Sequence, residues 1–409
     1  MKGLFGFVAF ALAAVVGVWG CSSSSEPSGP HAASVTGISG DSQVAPTGAQ
    51  LAFPLSMVLL GSNGTPVQGV PVTWAATPPT GVALSPLTST SDANGAVTTN
   101  VTAGATPDTV TISATVPGVQ QAVVFHTLVV NPCLYLAPAS LGQTINASLA
   151  TTDCNYQNFN YYYDFYLLSL PAGQQSVRIT MNSTAFDTYV DLWNLSGPYV
   201  GFDDDVVLQQ VQNSQLDVIF PGDSYVIGAN SFDKLSTGAY SLNVATRPAT
   251  LNGCRQVWVT RGVTVTDAIS AADCADSAAT PHHYDVARII ALSGTVLTMS
   301  VHSAAMNPAL ALYSVSGANY DRTLAVANDD STPGNPTAYI SYTVPASAVF
   351  DVLISGSSPT DSGAYTFDVS SSTTASATAA PPVSGRGAWH GGGFTLPTDP
   401  FHVTKHAKT

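Results

Sequence analysis

The sequence predicts an all-β protein of three tandem β-sandwiches with disordered termini. Glutamate and lysine, which favour exposed helices, are nearly absent, because the 409 residues include one glutamate, Glu26, and four lysines. Glycine and proline number 34 and 27, and Val, Thr, Ser and Tyr are abundant, as is typical of short strands and tight turns. The length favours about three domains. The composition therefore excludes a helical bundle and a doubly wound α/β enzyme.

The charge balance limits the kinds of partner. The chain carries 25 acidic and 11 basic residues, a net charge of −14. An acidic chain without a basic stripe repels phosphates, so we expect no nucleic acid partner.

The N-terminal segment has the pattern of an export signal. Lys2 precedes an uncharged apolar run from Leu4 to Trp19, which is shorter than the about 20 residues of a membrane span. The following Gly20-Cys21 completes a motif that resembles the lipobox of bacterial lipoproteins. The resemblance implies a signal peptide at 1–20, lipidation of Cys21, and anchoring in the outer membrane or at the cell surface. An ordinary signal peptide with Cys21 beside the cleavage site is the alternative.

Residues 21–32 form a Ser/Pro-rich tether, and residues 33–130 follow as the first predicted sandwich. Short alternating runs in 33–130 are separated by turn signals such as Asn63-Gly64. The segment from Gly69 to Trp74 and the later Asp92-Ala93-Asn94-Gly95 turn resemble bacterial Ig-like domains of the invasin and intimin type (group 1). This resemblance implies an Ig-like spacer or adhesive module without chemistry of its own.

The remainder of the chain is a duplication, with copies at 131–246 and 247–371. The motif Gly238-Ala239-Tyr240 recurs as Gly363-Ala364-Tyr365, and Asp204-Asp205 recurs as Asp329-Asp330, each pair at an offset of 125. A constant offset across separate motifs indicates two copies of one domain. Residues 372–409, rich in Ser, Thr, Ala, Pro and Gly, are predicted to be a disordered tail.

The first copy is similar to the bacterial pre-peptidase C-terminal domain, a jelly-roll-like β-sandwich often attached to secreted hydrolases. The similarity rests on Tyr163-Asp164-Phe165-Tyr166, Phe186-Asp187-Thr188-Tyr189-Val190, Asp203-Asp204-Asp205 and Gly238-Ala239-Tyr240. The second copy is degenerate, because Asn307-Pro308 replaces Asp187-Thr188 and Arg288 lies within a strand.

Four cysteines besides Cys21 are expected to form disulfides in an exported protein. Four cysteines allow three pairings, and the separations of 21 and 20 residues favour the local pairs Cys133–Cys154 and Cys254–Cys274. Metal ligation is the competing use, but no CxxC motif is present.

Two groups of residues are candidates for ligand binding. Carboxylates suit Ca²⁺, which takes six to eight oxygen ligands, so Ca²⁺ is a possible cofactor. The five aspartates of this candidate site are Asp187, Asp191, Asp203, Asp204 and Asp205. An acidic turn stabilised by its own hydrogen bonds is the alternative. Tyr161 and Tyr162 belong to an aromatic run for which core packing is the default, and they are the candidates for rings that face solvent and contact a ligand.

No catalytic residue is predicted. The sequence lacks the HExxH, GxSxG, Walker and dinucleotide-binding motifs, and its single glutamate excludes a Glu-based glycosidase pair. We therefore expect a non-catalytic, lipid-anchored protein of the cell surface that has an adhesive, binding or structural role. Its expected partners are the membrane, through the lipid, and an extracellular glycan or protein. The alternative function is that of an accessory or targeting subunit for a secreted hydrolase such as a protease.

Overall fold

A computed structural model describes residues 30–155, 160–204, 212–251, 254–276, 281–316, 321–329 and 337–373. Strands make up most of this part of the chain, and its only helical element is a 3-10 turn at Pro132–Leu134. None of the described helical residues forms a segment long and apolar enough to cross a membrane. The structure therefore confirms the predicted all-β class. The signal peptide, Cys21, Asp205, Asp330 and residues 374–409 of the tail lie outside the described residues. Ser372 and Thr373, which were predicted to begin the disordered tail, instead end the last strand.

The first module is a sandwich of two sheets. Its nine strands are β1 (Ser34–Ser39), β2 (Gln43–Pro46), β3 (Leu55–Leu60), β4 (Pro71–Thr77), β5 (Val82–Ser85), β6 (Thr88–Thr90), β7 (Ala96–Ala103), β8 (Asp108–Thr115) and β9 (Val123–Val130). One sheet has the order β1-β3-β7-β5 and the other β2-β9-β8-β4-β6. Strand β2 runs parallel to β9 and starts the second sheet.

The motif residues of this module have the expected structural roles. Trp74 is 2% exposed, and its ring lies 5.8 Å from that of Phe125 in the core. Asp92 Oδ1 accepts hydrogen bonds from the backbone N–H groups of Asn94 and Ala96, both at 2.8 Å. Gly95 has a φ of +72°, a left-handed conformation that favours glycine. The recognised motif is thus a turn that leads into β7.

The described residues of the first repeat form ten strands in two sheets. They are β10 (Ala137–Ala139), β11 (Gln143–Leu149), β12 (Cys154–Asn155), β13 (Tyr162–Ser169), β14 (Gln174–Asn182), β15 (Thr188–Asn194), β16 (Tyr199–Asp203), β17 (Ser214–Pro221), β18 (Ser224–Ser231) and β19 (Gly238–Thr246). The front sheet has the order β10-β13-β18-β15-β16, with β12 beside β13. The back sheet has the order β11-β19-β14-β17.

The described part of the second repeat forms the ten corresponding strands in the same arrangement. They are β20 (Val257–Val259), β21 (Val263–Ile269), β22 (Cys274–Ala275), β23 (His283–Ala291), β24 (Thr295–His302), β25 (Pro308–Ser316), β26 (Asp321–Asn328), β27 (Thr337–Thr343), β28 (Ala348–Gly356) and β29 (Gly363–Thr373). Its front sheet is β20-β23-β28-β25-β26 and its back sheet β21-β29-β24-β27. The strand orders correspond one to one, so the second copy keeps the fold despite its degenerate motifs.

Both expected disulfides are present. Cys133 is bonded to Cys154 and Cys254 to Cys274. In each repeat the bond joins the segment before the first strand to the short strand beside the front sheet, where Cys154 pairs with Tyr163. The local pairing favoured by the cysteine spacing is therefore confirmed.

The two repeats share one continuous sheet. Strand β17, at the edge of the first back sheet, pairs in parallel with β20, at the edge of the second front sheet. Val218 lies opposite Trp258, and the Thr260 N–H donates to the Ile219 carbonyl at 3.0 Å. The result is a ten-stranded sheet that passes through both copies. We call the region where the copies meet the joint.

The counterpart of β20 in the first repeat is β10, and it differs at one position. Trp258 lies opposite Arg288 and Pro138 opposite Leu167, which makes Pro138 the structural equivalent of Trp258. Because N–H directions alternate along a strand, Trp258 directs its N–H to the same side as Thr260, toward β17. Pro138 has no N–H to offer at that position. Among the described strands, none pairs with this edge of β10.

Candidate functional site

The motif aspartate and tyrosine of each repeat bind each other. The Tyr240 hydroxyl donates to Asp164 Oδ2 at 2.5 Å, and in the second repeat the Tyr365 hydroxyl donates to Asp285 Oδ2 at 2.7 Å. Burial raises the pKa of both carboxyl groups to about 7. Asp153 adds a smaller upward effect on the pKa of Asp164, which the Tyr240 hydrogen bond opposes. These pairs connect the front sheet to the back sheet, so the motif serves the fold.

The outer face of the first front sheet holds a buried carboxylate. Asp191 is 0% exposed and accepts hydrogen bonds from the Tyr163 hydroxyl at 3.1 Å, from Asn230 Nδ2 at 3.0 Å and from the Tyr199 hydroxyl. Trp193, 1% exposed, packs edge-on against Phe165 in the same cluster. Asp191 is thus held by side chains of its own domain.

The expected Ca²⁺ cluster is not assembled by the aspartates that the structure describes. Asp187 precedes β15 and lies four residues from Asp191, about 13 Å along an extended chain. Asp203 lies opposite the core residue Val190, which places it on the other face of the sheet from Asp191. Asp204 offers its backbone carbonyl to Ser214 Oγ at 3.4 Å. No group of three or more potential metal ligands occurs among the described residues.

The expected exposure of Tyr161 and Tyr162 is also not found. Each residue is 9% exposed, and Tyr161 packs in a cluster that includes Cys154 and Tyr163. These tyrosines are buried because the Cys133–Cys154 disulfide holds the segment around Cys133 against the outer face of the first front sheet. Strand alternation predicts that one face of β13 packs in the core while the other faces solvent. In the structure both faces are buried.

A groove at the joint contains polar groups from both repeats, and we call it the joint groove. It has a volume of about 180 Å³, and its walls include Asn194, Tyr199 and Tyr225 from the first repeat and Thr260, Arg261 and Ile289 from the second. The Thr260 hydroxyl is buried without a hydrogen-bond partner. The exposed Arg261 donates to Ser371 Oγ at 2.9 Å. The groove therefore combines aromatic walls with polar groups, a combination common in ligand pockets.

Three arginines surround one buried aspartate on β17, and we call these four residues the arginine cluster. Asp217 is 3% exposed and accepts hydrogen bonds from Arg178 Nε at 2.7 Å and from Arg178 Nη2 at 2.8 Å. The Nε atoms of Arg247 and Arg255 each lie 3.8 Å from an Asp217 oxygen. Arg255 also reaches Asp203 Oδ2 at 3.2 Å. The cluster lines a cavity of about 370 Å³.

A second ion-pair group lies in the second repeat near the joint. Asp351, 0% exposed, accepts from Arg288 at 2.7 and 3.0 Å and from Arg322 Nε at 2.7 Å. The Arg288 guanidinium also lies 5.7 Å from the ring of Trp258. Arg288, which departs from the family pattern, is therefore the partner of a buried carboxylate.

Sequence reasoning did not identify the joint groove or the arginine cluster. Five of the seven arginines in the chain belong to the two ion-pair groups, and their residues are Arg178, Arg247, Arg255, Arg288 and Arg322. All five lie in the two repeats of a chain that has few basic residues. That concentration was the one signal in the sequence that these arginines have buried acidic partners. It could not show which aspartates the arginines meet.

No protein-family model matches the chain, and no curated protein matches it. Solved structures similar to it include the pre-peptidase C-terminal domain of a collagenase from Bacillus anthracis, with 18% identity and a TM-score of 0.22 over 27% of this chain and 94% of that one. A C-terminal fragment of intimin, in complex with the intimin-binding domain of its translocated receptor, has 18% identity and a TM-score of 0.23 over 53% and 65% of the two chains. The D0-D1 domain of intimin has 12% identity and a TM-score of 0.21 over 56% and 95%.

These neighbours include both kinds of domain that the sequence resembles. At such identities and scores the likeness concerns β-sandwich architecture, and it assigns no ligand.

Proposed function

We propose that this protein is a non-catalytic, lipid-anchored protein of the cell surface that binds an extracellular glycan or protein through the joint groove. The observation that carries the proposal is the groove itself, where the two repeats, held in one sheet, bring Tyr199 and Tyr225 beside Thr260 and Arg261.

The chemistry of the groove suits a polar group that has an apolar face. The half-buried Tyr199 supplies ring surface, and the nearly buried Tyr225 and Ile289 close the wall behind it. The buried Thr260 hydroxyl lacks a partner, and a bound ligand would satisfy it. Because about 180 Å³ is small against the about 300–1,000 Å³ of ligand pockets for drug-sized molecules, the groove accepts one sugar ring or one side chain of a larger ligand.

The arrangement of modules fits display away from an anchor. A lipid on Cys21 would be followed by the tether and the Ig-like module, so that the repeats lie farthest from the membrane. Acyl chains contribute about 0.8 kcal/mol per buried CH₂, and more than one chain holds a protein firmly. The pairing of β17 with β20 would hold the two walls of the groove together before a ligand arrives, and a preformed site lowers the entropic cost of binding.

Binding is tested with the mature protein on glycan and extracellular-protein arrays. We expect hits for the wild type that are lost in Arg261→Ala and in Thr260→Val. The matched control is Lys234→Ala, which removes an exposed charge beside Tyr161 and should keep the hits. Hits that all three variants retain, or a wild type without hits, would contradict binding through the groove.

Anchoring is tested separately. Mass spectrometry of the mature N-terminus should find acylated Cys21, and Cys21→Ala should move the protein from the membrane fraction to the soluble one. Protease treatment of intact cells should remove the repeats if they face outward. An unmodified Cys21, or a Cys21→Ala protein that stays in the membrane fraction, would refute the lipid anchor without affecting the groove.

A further inference from the structure

The arginine cluster brings three guanidinium groups to one carboxylate, and Arg255 also donates to Asp203 Oδ2 at 3.2 Å and to the Gln215 carbonyl. Arg178 occupies both oxygens of Asp217 in a two-bond arrangement, with N–O distances of 2.7 and 2.8 Å. Arg247 and Arg255 approach the same carboxylate only to 3.8 Å, which is beyond hydrogen-bond distance. Arg178 thus makes the hydrogen bonds to Asp217, whereas Arg247 and Arg255 interact with the same carboxylate only as ion pairs at longer distance.

Arg247 is the buried member of the cluster. Its side chain is 8% exposed, its Nη1 donates to Ser176 Oγ at 3.3 Å and its Nη2 donates to the Thr250 carbonyl at 2.8 Å. Its Nε is buried and has no hydrogen-bond partner. An unsatisfied donor on a buried charged group costs free energy, so this atom marks a place where an acceptor is missing.

The electrostatic surroundings of Arg247 agree with that geometry. Burial is the largest effect on the group and lowers its pKa, and the neighbouring Arg178 and Arg255 lower it further. Asp217 and Asp267 oppose this lowering of the pKa. Like charges near a desolvated guanidinium are relieved by an added anion.

The cavity admits such an anion from solvent. Its volume is about 370 Å³, and its walls include the three arginines together with Thr246 and Pro248. The side chains of Arg178 and Arg255 are 42% and 26% exposed, so the cavity opens beside them. Planar guanidinium groups match the geometry of sulfate, phosphate and carboxylate oxygens with two parallel hydrogen bonds.

We propose that the cavity of the arginine cluster is an oxyanion-binding site, in which Arg247 and its two neighbours hold a sulfate, phosphate or carboxylate group. The site differs from the joint groove in every residue that carries it, and it does not depend on the proposed function. The anion has two sources: a free inorganic ion, or the acidic group of a polysaccharide.

Isothermal titration of the full mature protein with sodium sulfate, at constant ionic strength maintained with sodium chloride, tests the site. We expect one sulfate bound per chain and a loss of affinity of about tenfold or more in Arg247→Gln, because a hydrogen bond to a charged group is removed. Lys234→Gln makes the same charge change on the surface and should bind as the wild type does. Absence of sulfate and phosphate binding, or equal binding by Arg247→Gln and Lys234→Gln, overturns the proposal.

A second measurement covers the case in which Arg247→Gln fails to fold. Crystals of the wild-type protein soaked in selenate should show an anomalous peak among the three guanidinium groups, and a peak only elsewhere overturns the proposal. Titration with heparin and with desulfated heparin separates the two sources. Heparin binding that free sulfate displaces identifies a polymer, whereas binding of free sulfate without binding of heparin identifies an inorganic ion, and both results support the site.

Discussion

Gly201 of the first repeat lies directly against the indole ring of Trp258 of the second. A Cβ atom at residue 201 would lie 2.6 Å from Cδ2 and 2.8 Å from Cγ of that ring. Carbon atoms do not approach this closely without displacement. The glycine is thus required by packing, since its backbone is not among the left-handed ones.

The first prediction concerns this contact. Gly201→Ala should lower the free energy of unfolding by about 1–3 kcal/mol, the usual cost of overpacking a core. Denaturant unfolding measures it. In a Trp258→Ala background the same substitution should cost far less, because the ring that it meets is gone. The same cost in both backgrounds would mean that the contact does not determine it.

The second prediction concerns pH. The folded carboxyls of Asp164 and Asp285 have pKa values of about 7 because they are buried, well above the ordinary value of 3.8. Between these values the unfolded chain releases protons that the folded chain keeps, so their contribution to stability is present at low pH and is lost as pH rises to about 7.

The measurement compares the wild type with Asp164→Asn/Asp285→Asn, which cannot titrate at these positions. The free energy of unfolding of the wild type minus that of the double variant should decrease from about pH 4 to about pH 7 and stay level above it. A difference that is constant with pH, or that increases, contradicts the raised pKa values.

The third prediction compares the two disulfides. Replacing either pair by serines should cost about 2–4 kcal/mol, because each bond closes a loop of about twenty residues. The Cys133/Cys154 pair should cost more than the Cys254/Cys274 pair. Cys154 is 1% exposed within the aromatic cluster, so a serine there buries a hydroxyl, whereas Cys254 is exposed. Thermal unfolding of the two double variants under one condition tests the order, and equal losses would contradict it.

The fourth prediction concerns Asp351. Asp351→Asn removes the charge that Arg288 and Arg322 share, and breaking a buried pair costs about 3–5 kcal/mol. Asp368→Asn is the matched control, because Asp368 is exposed and its replacement should change stability by less than about 1 kcal/mol. Chemical denaturation of both variants gives the comparison. Similar values for the two would show that the Asp351 group does not stabilise the fold.

The sequence was sufficient for the features that leave local or periodic marks. Strand alternation, the Asp92–Gly95 turn and the repeated Gly-Ala-Tyr motif are local, and the cysteine pairs lie within about twenty residues of each other. Each of these features can be predicted from residues close together along the chain or from a comparison of one copy with the other.

The joint could not be predicted in that way. Asp217 meets Arg178 because β14 pairs with β17 about forty residues further along the chain, and it meets Arg255 because β17 pairs with β20 of the second repeat. Alternation along β16 indicates that Asp203 faces one side of the sheet, but it does not show that an arginine of the next domain lies there. In the same way, alternation in β13 gives no indication that the disulfide segment covers its outer face.

Pro138 has a consequence for how far such an assembly can extend. The second repeat joins the first through the edge of β20. The corresponding strand of the first repeat is β10, which has three residues and carries Pro138 at the position whose N–H would face outward. A strand equivalent to β17 that paired with β10 would lack one hydrogen bond at Pro138. Proline on an edge strand opposes pairing for this reason. Pro138 therefore disfavours end-to-end association of the protein through β10, which is the pairing that a fibre of stacked copies would require.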